Sequence, residues 1–119
     1  MKLKILALIA VMAVSGIASA NASYPHTMSI QLLRSDCELP DRPSQIRCET
    51  FLMGVVDTIS ALSVSGELGK SRFCIPEGFT EVRLRTVFVD YIAAKDSVDL
   101  LTSAASHAIR AFGEAFPCK

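Results

Sequence analysis

From residue 28 onward, apolar side chains recur at intervals of three or four, and no stretch alternates with period two. That pattern predicts helices and no strand. A short first helix spans "MSIQLLRS", Met28 to Ser35, with Ile30, Leu33 and Leu32 turned inward. Pro40 and Pro43 interrupt the pattern and mark a turn. Ser44 is placed to cap a long second helix to about Ser65, where Cys48, Leu52, Val55, Ile59 and Leu62 share one stripe. Phe51 borders this stripe and Asp57 lies nearly opposite. Ile46, Met53 and Ala61 give the helix a second apolar side, the mark of a helix central in its bundle or pressed on a partner. The following "VSGELGKSRFCIPEGF" is rich in glycine and proline and reads as an ordered loop. Thr80 can cap a third helix to about Ala94, burying Val82, Leu84, Val87, Phe88, Tyr91 and Ile92. A fourth helix, capped by Asp96 or Ser97 with Asp99 near its positive end, turns Leu101, Ala104, Ala105, Ala108, Ile109 and Phe112 inward. Pro117 stops it. The expected fold class is all-α, a small four-helix bundle.

The first twenty residues follow a different pattern. Lys2 and Lys4 precede an unbroken apolar run, Ile5 to Val14, and Ala18-Ser19-Ala20 fits a small-residue cleavage site. About ten apolar residues cannot cross a hydrocarbon core of roughly 30 Å, which needs about 20. The alternative, a buried core helix, does not account for the charged start and the cleavage-like end. Residues 1–20 therefore read as an export signal removed after Ala20, leaving residues 21–119 as one domain in the periplasm, with no membrane insertion. Cys37 lies too far along to be a lipid-acylation site. With two lysines gone, ten basic side chains face twelve acidic ones, a net charge of −2. No basic stripe remains to neutralise phosphates, which argues against nucleic acid, and no polybasic segment serves a membrane surface.

All four cysteines, Cys37, Cys48, Cys74 and Cys118, fall in the exported part, as a disulfide framework requires. A zinc site is the competing reading, but the chain has no C-x-x-C pair, and His26 and His107 lack ligand spacing. Four cysteines allow three pairings. Bundle topology chooses among them. In an up-down-up-down arrangement Cys37 and Cys48 meet at one end of the second helix, while Cys74 and Cys118 meet at the other. The braces are expected to be Cys37–Cys48 and Cys74–Cys118. On the chain-entropy account they contribute about 2.8 and about 4 kcal/mol.

Catalytic chemistry has little to stand on. The cysteines are committed to disulfides, His107 sits at the edge of the fourth helix's apolar stripe, and His26 lies in the N-terminal arm. "SGELGKS" lacks the spacing and the preceding strand of a phosphate loop. Asp90 and Asp96 read as solvated surface charge or a cap. The chain is expected to be no enzyme and to use no cofactor or metal. What remains is the loop from Ser65 to Arg72, which carries Glu67, Lys70 and Arg72 and is tethered by Cys74. A stapled loop is suited to partner binding, because pre-organisation lowers its entropy cost. A plain connector is the other reading.

Several motifs together resemble a known family. After Cys37 come Cys48 with "FLMG" and Asp57 downstream, then "FCIPEGFT", "VFVDYI" and a terminal "AFPC". This order resembles the Rap/Tai family of periplasmic immunity proteins, which neutralise peptidoglycan amidase effectors of type VI secretion. The resemblance covers Met28 to Cys118, and "FC-I-P" and "AFPC" are its specific part. It implies a disulfide-braced helical domain, often a homodimer, that occludes the amidase's cysteine–histidine cleft and has no activity itself. It assigns Cys37, Cys48, Cys74 and Cys118 as structural cysteines, and Gly54 and Asp57 as packing and polar-contact positions. Where the family often shows His-Pro before the last helix, this chain has Lys95-Asp96-Ser97. The alternative is a periplasmic structural or chaperone-like helical protein without a single cognate effector.

Overall fold

The computed structural model describes residues 28–95 and 101–119. Among these residues there are four helices and no strand: α1 (Ile30–Glu38), α2 (Arg42–Val64), α3 (Glu81–Ala93) and α4 (Ala104–Ala115). They form a small all-α bundle in which α2 packs on each of the other three. The expected export segment, residues 1–20, lies outside the described residues.

Ser29 caps α1, its hydroxyl accepting from the Leu32 amide at 3.3 Å. The 30–33–37 spacing then sets one inward face, and Ile30, Leu33 and Cys37 are buried. Leu32 was expected on that face but is 61% exposed. It lies about 100° from Leu33 on the helix wheel and so leaves the stripe. The helix also runs past Ser35, supported by an Arg34–Glu38 pair at 2.7 Å one turn apart. It ends at Glu38 because Pro40 disfavours helical backbone in Leu39, whose φ and ψ are −65° and 139°.

Asp41, rather than Ser44, caps α2. Its carboxylate accepts from the Ser44 amide at 2.9 Å. The amide and hydroxyl of Ser44 hold the Asp41 carboxyl below the usual carboxylate range. Pro43 sits in the first turn, where a missing N–H costs nothing, so the helix begins before it. Cys48, Leu52 and Ile59 are buried as expected, and Val55 and Leu62 are half-buried. On the outer side Ile46 is 47% exposed, whereas Met53 packs partly on the chain's own core. The helix stops where Gly66 takes φ +81°, a left-handed C-terminal position open to a residue without a side chain.

Thr80 precedes α3 but makes no side-chain cap bond. Leu84, Phe88 and Ile92 recur every fourth residue and are buried, while Val87 and Tyr91 are half-buried. Val82, expected inside, is 47% exposed, because it lies in the first turn and off the 84–88–92 line. A buried carboxylate locks α3 to α2. Glu49 is 5% exposed and meets Arg42 Nη1 at 3.1 Å and Arg85 Nε at 3.5 Å.

The fourth helix starts later than expected. Ser103 is its N-cap, with its hydroxyl accepting from the Ser106 amide. The anticipated caps Asp96 and Ser97, with Asp99, lie outside the described residues. Extended pairing holds the backbone just ahead of Ser103: Ile30 N–H donates to Thr102 O at 3.0 Å, and Ala104 N–H donates to Met28 O at 2.8 Å. Residues engaged in that bridge cannot be helical, so Leu101 precedes the helix and is 78% exposed. Ala104, Ala108 and Ala111 are buried and allow close approach, and Phe112 completes the face.

Both disulfides pair as topology required, Cys37–Cys48 and Cys74–Cys118, and no cysteine is free.

Candidate functional site

The loop between α2 and α3 is held by three kinds of contact. Phe73 is buried and meets the Phe112 ring edge-on at 5.6 Å. Cys74 is bonded to Cys118, and its amide donates to Phe116 O at 2.8 Å. Phe79 packs edge-on against Phe116 at 4.5 Å, and the Arg83 guanidinium lies over the Phe79 ring at 5.1 Å. The loop also lies close on α4: a side chain at Gly113 would place Cβ 3.4 Å from Arg72 O. These anchors leave one stretch facing water. Glu67, Lys70 and Arg72 are all exposed, and none of the three forms an ion pair among the described residues.

A second surface was not anticipated. Between α2 and α4 runs an apolar groove of about 440 Å³, walled by Phe51, Val55 and Ile59 on one side and Ala105 and Ile109 on the other. Gly54 also lines it, and a Cβ there would meet nothing within 4 Å. Packing inside the chain therefore does not require this glycine. Thr58 turns its hydroxyl back to Gly54 O at 2.7 Å, which satisfies the polar atom and leaves its methyl as the available surface. An isolated glycine inside a helical pattern was the available signal. Asp57 is exposed on the neighbouring side.

His107 is half-buried, with Nε2 3.3 Å from the Thr102 hydroxyl and the Tyr91 ring tilted at 6.3 Å. Its Nδ1 is buried and has no hydrogen-bond partner among the described residues. Burial, with Arg110 and Lys95 nearby, pushes its pKa below the ordinary value. Because the folded protein binds this proton less readily than the unfolded chain, unfolding takes up a proton as the pH falls. Stability is thus full above the unfolded value of about 6.5 and declines below it. Thermal melts from pH 7.5 to 5 are expected to show this decline in the wild type and a flatter profile in His107→Gln. Equal slopes would remove His107 as the cause.

Among the described residues, no cluster of histidine, cysteine or acidic side chains could hold a metal ion, and no helix is long and apolar enough to cross a membrane.

The described residues thus form a disulfide-braced helical body with an anchored loop that exposes charged side chains and an apolar groove between α2 and α4. The profile of the Rap1a immunity proteins matches residues 29–118, and the chain belongs to that family. No curated protein and no solved structure shows a significant match. Immunity proteins act by binding an effector protein, so the partner of this chain is such an effector. Two disulfides fit an exported protein.

Proposed function

We propose that the chain is a periplasmic immunity protein that binds a peptidoglycan amidase effector of type VI secretion and blocks its active-site cleft, with no turnover of its own. The observation that carries this reading is the family match, which spans nearly all of the domain from α1 to Cys118. The loop supports it physically. Its charged residues stand exposed on a backbone anchored at Phe73 and Cys74, so little entropy is lost when a partner closes over them. In this reading residues 1–20 direct export and are removed after Ala20, and residues 21–119 are the mature inhibitor. The α2–α4 groove, uncharged along its walls, is where a second copy would pack to make a homodimer.

The test is co-purification with a candidate amidase, followed by cell-wall digestion in the presence of excess protein. Digestion is expected to stop. Undiminished digestion would overturn the reading, and suppressed aggregation of unrelated clients would favour a chaperone-like role instead. Within the complex, replacing Glu67, Lys70 and Arg72 together by alanine is expected to weaken binding about tenfold, mainly in the salt-dependent part. The circular dichroism melt should stay in place, since all three side chains are exposed. Unchanged affinity would move the interface to the groove, and light scattering on the mature domain would show whether a second copy already occupies it.

A further inference from the structure

The two disulfides sit in unlike surroundings. Cys37 is 5% exposed and Cys48 is fully buried, at the contact of α1 and α2. Cys74 is exposed, in the α2–α3 loop, and Cys118 is half-exposed, past the end of α4. Thiol–disulfide exchange needs access of a thiolate to sulfur, and of the two pairs only Cys74 and Cys118 are residues open to solvent.

The consequences of cleavage differ as well. Asp36 and Arg47, the neighbours of Cys37 and Cys48, are joined by an ion pair at 2.7 Å, and helix packing holds the same contact. Thiols released there would stay together and re-form the bond at high effective concentration. Cys74 and Cys118 both lie outside the helices, in the α2–α3 loop and past the end of α4, so no helix–helix packing holds them together; the Cys74–Phe116 hydrogen bond at 2.8 Å is a single, weaker restraint.

We propose that Cys74–Cys118 is a selectively exchangeable disulfide, a site for an external dithiol, and that its opening loosens the α2–α3 loop while Cys37–Cys48 stays closed. One thiolate of the dithiol attacks the Cys74 sulfur. The Cys74–Cys118 bond breaks, its electron pair leaves on Cys118, and that thiolate takes up a proton. The second thiol then attacks the mixed disulfide and releases Cys74 as a thiol. The dithiol departs as its own disulfide, so the protein gains two electrons and two protons. Phe73 and the Cys74–Phe116 hydrogen bond remain as the loop's non-covalent anchors.

The test uses the mature full-length domain, graded dithiothreitol without denaturant, alkylation and peptide mass spectrometry. Cys74 and Cys118 are expected to be labelled over a range of reductant in which Cys37 and Cys48 are not. Labelling of all four together, or of Cys37 and Cys48 first, would overturn the proposal. The selectively reduced protein is then exposed to trypsin. Cleavage after Lys70 and Arg72 should accelerate about tenfold over the oxidised form, while sites within α2 and α3 stay protected. Unchanged loop cleavage would overturn the second half. Cys74→Ser/Cys118→Ser should reproduce the fast cleavage, and the wild-type labelling stands as a test even where that variant fails to fold. A consequence for effector binding rests on the function proposed above: the reduced form should bind more weakly. Labelling and proteolysis need no partner, so their failure is distinguishable from failure of that reading.

Discussion

Replacing Cys37 and Cys48 together by alanine is expected to lower unfolding stability by about 5 kcal/mol, the largest single loss in the molecule. Chain entropy accounts for about 3 kcal/mol, from a closed loop of 11 residues. The rest is packing. Both sulfurs are buried between α1 and α2, and each void left behind costs about 1 kcal/mol. The pair Cys74→Ala/Cys118→Ala makes the comparison informative. Its loop spans 44 residues, so entropy alone gives about 4 kcal/mol, yet Cys74 is exposed and Cys118 half-exposed, so little packing is lost. If loop length ruled, the second pair would be the costlier. Burial reverses that order. Urea melts with matched slopes measure both differences, and a larger loss in the Cys74/Cys118 variant would show that packing at the buried bridge contributes less than the entropy difference of about 1 kcal/mol between the two loops. For a domain stable by about 5–15 kcal/mol, either loss approaches the whole margin.

Phe112→Ala is expected to cost about 3–5 kcal/mol, the usual range for a buried phenylalanine. Phe112 is fully buried, and it meets Phe73 edge-on at 5.6 Å and Phe116 at 6.4 Å. Removing it takes away the partner that seats the loop. The effect should therefore have two parts, a global loss in the melt and a local rise in hydrogen exchange from Ser65 to Phe73. Phe88→Ala is the control. It is equally buried but belongs to α3, so it should destabilise by a similar amount and leave the loop's exchange at its native level relative to global unfolding. Matching loop exchange in the two variants would mean that Phe73 does not hold the loop through Phe112.

These predictions depend on features that were legible to different degrees. The helices α2 and α3 stand close to their expected limits, since apolar spacing over many turns averages out single exceptions. The inward residues Ile30, Leu33, Cys48, Leu52, Leu84, Phe88, Ala108 and Phe112 were also readable, because each lies on the centre line of its stripe. Errors gathered at helix ends. Leu32, Val82 and Leu101 are apolar but sit off the stripe or before the helix, and each stays largely exposed. Of the candidate site, the exposed loop could be read from its glycines and charges. The groove could not, because its two walls are some fifty residues apart in the chain and meet only when α4 docks on α2.

The sequence by itself determined the local and the covalent parts of this protein. Pro40 and Pro43 set the α1–α2 turn through their own ring geometry, and four cysteines with helices between them admitted one workable pairing. Its motifs were enough to point to an immunity family, and the match over residues 29–118 agrees. Only the tertiary structure decided where α4 begins, which carboxylate is buried, and where an apolar groove opens. Each of these is set by groups far apart in the chain. Ser103 starts a helix because residues 28–30 pair with the strand-like turn before it, and Glu49 can be buried because Arg85 arrives from α3. Local rules act over one or two turns, whereas desolvating a charge or covering a side chain needs a partner that only the folded chain supplies.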